Sequence, residues 1–73
     1  MLTTREARLS RQEIEILQLV ARGLDNKAIA RELLISESTV KAHMLHTFGK
    51  LYVTDRTAAV TPALRRGIIR LDP

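Results

Sequence analysis

The sequence has no cysteine, few aromatic residues and no long apolar run. Without cysteine it forms neither a disulfide nor a thiolate zinc site. Phe48 and Tyr52 are the only aromatic residues, so the core of this 73-residue chain must be mainly aliphatic. No apolar run approaches the roughly 18 residues that a membrane span needs, and charges interrupt the N-terminal region where a signal peptide would be apolar. We therefore expect a one-domain cytoplasmic protein that makes no membrane contact.

Basic residues outnumber acidic ones. Twelve Lys and Arg face eight Asp and Glu, and the net charge is +4. This balance is typical of proteins that bind nucleic acid, although many other small domains are as basic. The sequence contains no nucleophile–base–orienter set and no glycine loop that would hold a phosphate, so it predicts neither an enzyme nor a cofactor. His43 and His46 have a metal-compatible spacing, but no carboxylate or thiol completes a site, and we expect no metal.

One pattern marks three helix starts: an apolar residue, a capping residue and, four positions after the cap, another apolar residue. Such a pair of apolar residues packs together around the first turn and stabilises it. The predicted helices cover about 11–22, 26–33 and 37–51. The three patterns are Leu9-Ser10 with Ile14, Leu24-Asp25 with Ile29, and Ile35-Ser36 with Val40.

The second and third helices are separated by only a short turn. Ala30 is small enough for two helices to cross there, and Val40 is a β-branched anchor ten residues later. This pattern favours a helix-turn-helix, whose second helix can enter the DNA major groove. An ordinary pair of bundle helices is the alternative. The predicted core face of the third helix comprises Val40, Met44, Thr47 and Leu51, and its opposite face comprises Lys41, Ala42, Leu45, His46 and Gly49.

A fourth helix is predicted over about 56–66, but Pro62 lies inside it. A proline inside a helix removes one backbone hydrogen bond and clashes with the preceding turn, at a cost of about 3 kcal/mol. Either Asp55 or Thr54 caps a helix that bends at Pro62, or Thr61 caps a new helix that begins there. The sequence therefore predicts a fourth helix that is kinked or restarted near Pro62.

Several motifs follow one another with fixed spacing: Leu9-Ser10-x-x-Glu13, Asn26-Lys27-x-Ile29-Ala30, Ile35-Ser36-Glu37-x-Thr39-Val40-Lys41-x-His43 and Lys50-Leu51-x-Val53-x-Asp55-Arg56-Thr57. With that spacing, residues 9–69 resemble the LuxR-type (NarL/FixJ-type) DNA-binding domain of bacterial transcription regulators. The resemblance implies an all-α, four-helix domain with its helix-turn-helix at about 24–45 and its third helix as the recognition helix. Residues 1–8 would then be a linker or disordered lead-in, and residues 70–73 a tail.

The resemblance also implies a function. The chain would be the C-terminal effector domain of a response regulator or of a ligand-sensing regulator, and would bind double-stranded DNA in a sequence-specific way. A homodimer on DNA, formed through the fourth helix, is expected, with RNA polymerase as a further partner. The alternative from another class is a small helical interaction module with an acidic protein partner. Salt-sensitive duplex binding would distinguish the two.

Base contacts are placed by the resemblance at Lys41, Ala42 and Leu45. Lys41 can donate to guanine O6 or N7, Ala42 can pack on a thymine methyl, and Leu45 offers apolar contact only. The alternatives are a solvated surface lysine at position 41 and a core-edge leucine at position 45. DNA backbone contacts are expected from Asn26, Lys27, Thr39 and Lys50. His43 is expected to face the interior and to make a hydrogen bond.

Some residues depart from the family pattern. Leu34 and Tyr52 stand where glycine is frequent, and a positive φ at either would cost on the order of 1 kcal/mol. Ala28 replaces a usual glutamate, Thr47 replaces a large aliphatic residue, and Gly49 lies inside the third helix. These departures predict weaker third and fourth helices, but they leave the groove-facing residues unchanged.

Overall fold

The computed structural model describes residues 8–71, which form four α-helices and no strand. The helices are α1 (Arg11–Ala21), α2 (Asn26–Leu33), α3 (Glu37–Leu51) and α4 (Arg56–Arg65). The predicted all-α, four-helix class is confirmed, and the first three helices begin where the caps indicated. Within the described part of the chain, no helix is both long enough and apolar enough to span a membrane. Of the predicted lead-in and tail, residues 1–7 and 72–73 lie outside the described residues.

Each helix begins at a side-chain cap. A side-chain oxygen of the capping residue accepts a hydrogen bond from the backbone N–H three residues later, which satisfies a donor that has no partner in the helix. In α1, Glu13 also bonds back to the Ser10 N–H at 2.8 Å and completes the predicted capping box. The cap bonds are Ser10 to Glu13 N (3.1 Å), Asp25 to Ala28 N (2.8 Å), Ser36 to Thr39 N (3.1 Å) and Asp55 to Ala58 N (2.8 Å).

Each helix also ends in the same way. One residue takes the left-handed conformation, and the next N–H bonds to the carbonyl five residues back, as in a Schellman motif. The left-handed residue is glycine after α1 and α4, but it is Leu34 after α2 and Tyr52 after α3, both with φ of 58°. The predicted strain is therefore present at both positions. The closing bonds run from Leu24 to Leu19 (3.1 Å), Ile35 to Ala30 (3.0 Å), Val53 to Phe48 (3.0 Å) and Ile68 to Ala63 (2.8 Å).

The fourth helix does not restart at Pro62, so that part of the prediction was wrong. A single helix runs from Arg56 to Arg65 through the proline, and its cap is Asp55 rather than Thr61. Ala59 and Ala63 of this helix are completely buried, and packing of a buried helix face is the main source of helix stability in proteins. A bend of the helix axis at Pro62 stays a prediction.

Two apolar clusters hold the helices together. The first joins α1, α2 and the first half of α3, and the predicted crossing residues Ala30 and Val40 are both buried in it. The second joins α1, the end of α3, α4 and the C-terminal segment. That segment is tied to α1 by Ile69, which is buried, and by Gln18, whose side chain bonds both the N–H and the carbonyl of Arg70. This packing leaves one face of α3 uncovered.

Candidate nucleic-acid interface

The uncovered face of α3 carries the three residues expected to contact bases. Lys41, Ala42 and Leu45 are all exposed, and we call them the reading face. Leu45 is 70% exposed, which decides against the alternative of a core-edge leucine. Val40 and Met44 are buried on the opposite side and attach α3 to α1 and α2. The turn between α2 and α3 thus presents the first half of α3 outward, as the helix-turn-helix interpretation requires.

The starts of α2 and α3 carry three of the expected backbone contacts. Lys27 is exposed, whereas Asn26 and Thr39 are half-buried. The Thr39 hydroxyl lies 2.8 Å from the Ser36 hydroxyl, which lies 3.0 Å from that of Ser38. Hydroxyl groups and free helix N–H groups therefore meet at the start of α3, an arrangement that suits a phosphate.

Lys50 lies away from this surface. Its ammonium donates to Glu13 Oε1 at 2.9 Å and to the Arg8 carbonyl at 2.9 Å. Its side chain is only 14% exposed. Because its charge is already paired with a buried carboxylate, we do not carry its predicted phosphate contact into the proposed interface.

Glu13 is the buried acid that binds Lys50, and it is 1% exposed. Its two carboxylate oxygens accept from the Ser10 N–H (2.8 Å), from Lys50 (2.9 Å) and, through Oε2, from His46 Nδ1 (2.8 Å). Burial alone would raise the pKa of Glu13, but the bonds from Ser10, Lys50 and His46 outweigh it and lower the pKa from 4.5 to about 2. The carboxylate therefore stays ionised and joins the start of α1 to the second half of α3.

The two histidines differ from expectation. Among residues 8–71, His46 and not His43 makes a side-chain hydrogen bond to an interior group, and it does so from an exposed position. His43 is half-buried and contributes its backbone carbonyl, which accepts from the Thr47 hydroxyl at 2.7 Å. This bond satisfies the buried Thr47, the polar residue in the core stripe. Within residues 8–71, no three side chains of metal-binding type come together.

Sequence reasoning did not assign a role to Arg56. Its guanidinium bonds Asn26 Oδ1 at 3.0 Å and the Leu24 carbonyl, both at the start of α2. A groove of about 390 Å³ lies beside this contact, and its walls also include Lys41 and Leu45 of the reading face. No periodicity or capping pattern could have shown this pair, because the two residues are 30 positions apart.

Known proteins have a similar sequence and fold. The family model of luxR-family bacterial regulatory proteins matches residues 7–63. The chain is 42% identical to the transcriptional regulatory protein YdfI of Bacillus subtilis, over 92% of this chain and 32% of YdfI. It is 41% identical to the transcriptional regulatory protein DegU of Brevibacillus brevis, over 86% of this chain and 27% of DegU. It therefore spans about a third of the length of these curated relatives.

Solved structures agree with the sequence comparison. The transcription factor GerE superposes with a TM-score of 0.83 at 42% identity, over 88% of this chain and 96% of GerE. The response regulator ChrA of a heme-sensing two-component system also gives 0.83, at 50% identity, over 85% of this chain and 31% of ChrA. Family match, identity and fold lead to one conclusion: the chain belongs to the luxR family of bacterial regulatory proteins.

Proposed function

We propose that residues 9–69 form a sequence-specific double-stranded DNA-binding domain that regulates transcription. The observation that carries the proposal is the reading face, which stands uncovered on the first half of the second helix of a helix-turn-helix. The domain would be the C-terminal effector part of a larger response regulator or ligand-sensing regulator. Support comes from YdfI and DegU, which are transcription regulators three to four times as long as the matched region.

Within this interface the residues divide by task. Lys41 donates to a guanine edge, Ala42 and Leu45 make apolar contact with bases, and these contacts carry the sequence preference. Asn26, Lys27 and Thr39 bind phosphates, which orient the domain without reading sequence. No step in this function needs a cofactor or a catalytic group.

The proposed assembly on DNA is a homodimer formed through α4, with RNA polymerase as a further partner. The LuxR-type receptor VqmA of Vibrio cholerae, described as a dimer, supports dimer formation: one VqmA chain superposes with a TM-score of 0.81 at 26% identity, over 94% of this chain and 33% of VqmA. The assignment of the dimer contact to α4 rests on the family resemblance. Because a bacterial regulator acts on the chromosome, we place the proposed activity in the cytoplasm.

A selection from random duplex DNA tests this function directly. The chain should enrich one motif, and its affinity for that motif should fall steeply as salt rises, because phosphate contacts release counterions. A random duplex should bind at least ~1,000-fold more weakly than the enriched motif. If no duplex is retained at low salt, the chain acts as an interaction module and the DNA-binding proposal is wrong.

A further inference from the structure

Arg56 makes contacts that its own helix does not require. It is the first residue of α4, directly after the cap Asp55, where the helix dipole disfavours a positive charge. The side chain turns away to the start of α2 instead, where Nη1 donates to Asn26 Oδ1 at 3.0 Å and Nη2 donates to the Leu24 carbonyl. Arg56 therefore joins the start of α4 to the start of α2.

This contact determines which way the Asn26 amide faces. A guanidinium has only donors, so it must be met by the amide oxygen and never by the amide NH₂. With Oδ1 turned towards Arg56, the NH₂ group points away from it. An NH₂ group suits a phosphate, whose oxygens only accept hydrogen bonds.

The same groove contains the Arg56–Asn26 contact and part of the reading face. Asn26 and Arg56 line the depression of about 390 Å³ that Lys41 and Leu45 also border. A duplex seated on the reading face would therefore bring its backbone past the start of α2. The Asn26 NH₂ group would lie beside that backbone, already oriented.

We propose that Arg56 is a positioning residue for DNA binding. It fixes the Asn26 amide so that the NH₂ group donates to a phosphate of the bound duplex, while Arg56 itself binds no phosphate. This inference rests on the proposed function, because it needs a duplex against the reading face. It also links that contact to α4, the helix through which the proposed dimer forms.

The test compares duplex binding of the parent, Asn26→Ala, Arg56→Lys and the double variant by fluorescence anisotropy. The probes are the motif selected by the parent and a random-sequence duplex, each over a salt series. Lysine keeps the charge but lacks the two-pronged fork that holds the amide and the carbonyl together. Arg22→Lys, at an exposed position at the end of α1, is the matched control and should bind as the parent does.

Each single variant should lose about tenfold in affinity, because one hydrogen bond to a charged group is lost. The loss should be equal on both duplexes, since a phosphate contact carries no sequence information. The double variant should lose no more than Asn26→Ala alone, because Arg56 acts only through Asn26. The salt dependence should not change, because Asn26 is neutral and lysine keeps the charge.

Asn26→Asp separates positioning from a purely structural role. Aspartate can still accept from Arg56, so thermal unfolding followed by circular dichroism should show a domain at least as stable as the parent. Its outward oxygen, however, repels a phosphate, and duplex affinity should fall further than in Asn26→Ala. Parent-like binding by Asn26→Asp would leave Arg56 as a structural link only and would overturn the inference.

Two other results would also overturn it. One is parent-like binding by Arg56→Lys; the other is a double variant whose loss equals the product of the single losses. In each case the parent still binds its motif, so the proposed function survives. A parent that binds no duplex would instead remove the proposed function, and this inference with it.

Discussion

The two halves of α3 carry similar residues and use them differently. In the first half, Lys41 stands exposed beside Ala42 and Leu45. In the second half, Lys50 and His46 are both bonded to the buried Glu13 of α1. Lys41 and Lys50 are nine positions apart, which places them about 180° apart around the helix. The same residue type is thus free for a ligand on one side and part of the internal structure on the other, according to which side faces α1.

Removing Glu13, the acid that binds the second half of α3, should have the largest effect, and that effect is on stability. Glu13→Ala leaves Lys50 without its partner and takes away one bond of the α1 capping box. We expect a loss of about 3–4 kcal/mol in the free energy of unfolding, measured by urea denaturation. Glu15→Ala, at an exposed position on the same helix, is the control and should change stability by less than about 0.5 kcal/mol. Equal losses in the two variants would contradict the structural role of Glu13.

Acid should lower the free energy of unfolding, because it removes the contribution of the Glu13 carboxylate. The folded state holds the pKa of Glu13 at about 2, against 4.5 for the ordinary carboxyl group. Well above pH 4.5 the carboxylate is ionised in both states and its contribution is complete. As pH falls from 4.5 to 2, the unfolded chain takes up a proton that the folded chain does not, so the contribution of about 3 kcal/mol is lost.

Stability measured across this range should show a fall in the parent that is smaller in Glu13→Ala. Both proteins share all other carboxylates, so the difference between their two curves isolates Glu13. Parallel curves would mean that the pKa of Glu13 is not lowered by folding.

A substitution in the first half of α3 should affect DNA binding and leave the stability of the fold unchanged. Lys41→Ala should cost about 1–3 kcal/mol on the selected motif and relax the preference at one base pair. Its free energy of unfolding should stay within about 0.5 kcal/mol of the parent, because the side chain is exposed. Binding of both motif and random duplexes at parent strength would show that Lys41 does not contact a base.

The smallest expected effect concerns the end of α3. Tyr52 is 76% exposed and holds φ of 58°, where its Cβ strains the backbone. Tyr52→Gly should raise the free energy of unfolding by about 0.5–1 kcal/mol, less than the full strain because glycine loses more entropy on folding. Tyr52→Ala keeps the Cβ and should bring no gain. A stabilisation by alanine equal to that by glycine would trace the effect to the ring instead of the backbone.

The predicted helices show what short-range patterns can establish. Ser10, Asp25 and Ser36 each bond a backbone N–H three residues later, so both partners of each bond are neighbours in the sequence. The apolar spacing of α3 likewise placed Val40 and Met44 inside and the reading face outside. The luxR-type resemblance was confirmed for the same reason, since it depends on residue types at fixed spacing.

Other features could not be predicted because their partners are distant in the chain. Glu13 was recognised for its capping box, but its bonds to His46 and Lys50 span 33 and 37 residues. The sequence indicated Lys50 as a phosphate contact and could not show that its ammonium bonds Glu13. Pro62 was expected to bend or divide α4, because its local penalty is visible in the sequence while the burial of Ala59 and Ala63 is not.

The sequence by itself determined where the first three helices begin and which face of α3 remains outside. These properties depend on hydrogen bonds and apolar spacing within a few residues, and such interactions form whatever the rest of the chain does. Only the tertiary structure decided that Lys50 is paired with the buried Glu13, that α4 continues through Pro62 and that the Arg56 guanidinium bonds Asn26. Each of these outcomes depends on two elements packing side by side, where burial and long-range pairing outweigh local preference.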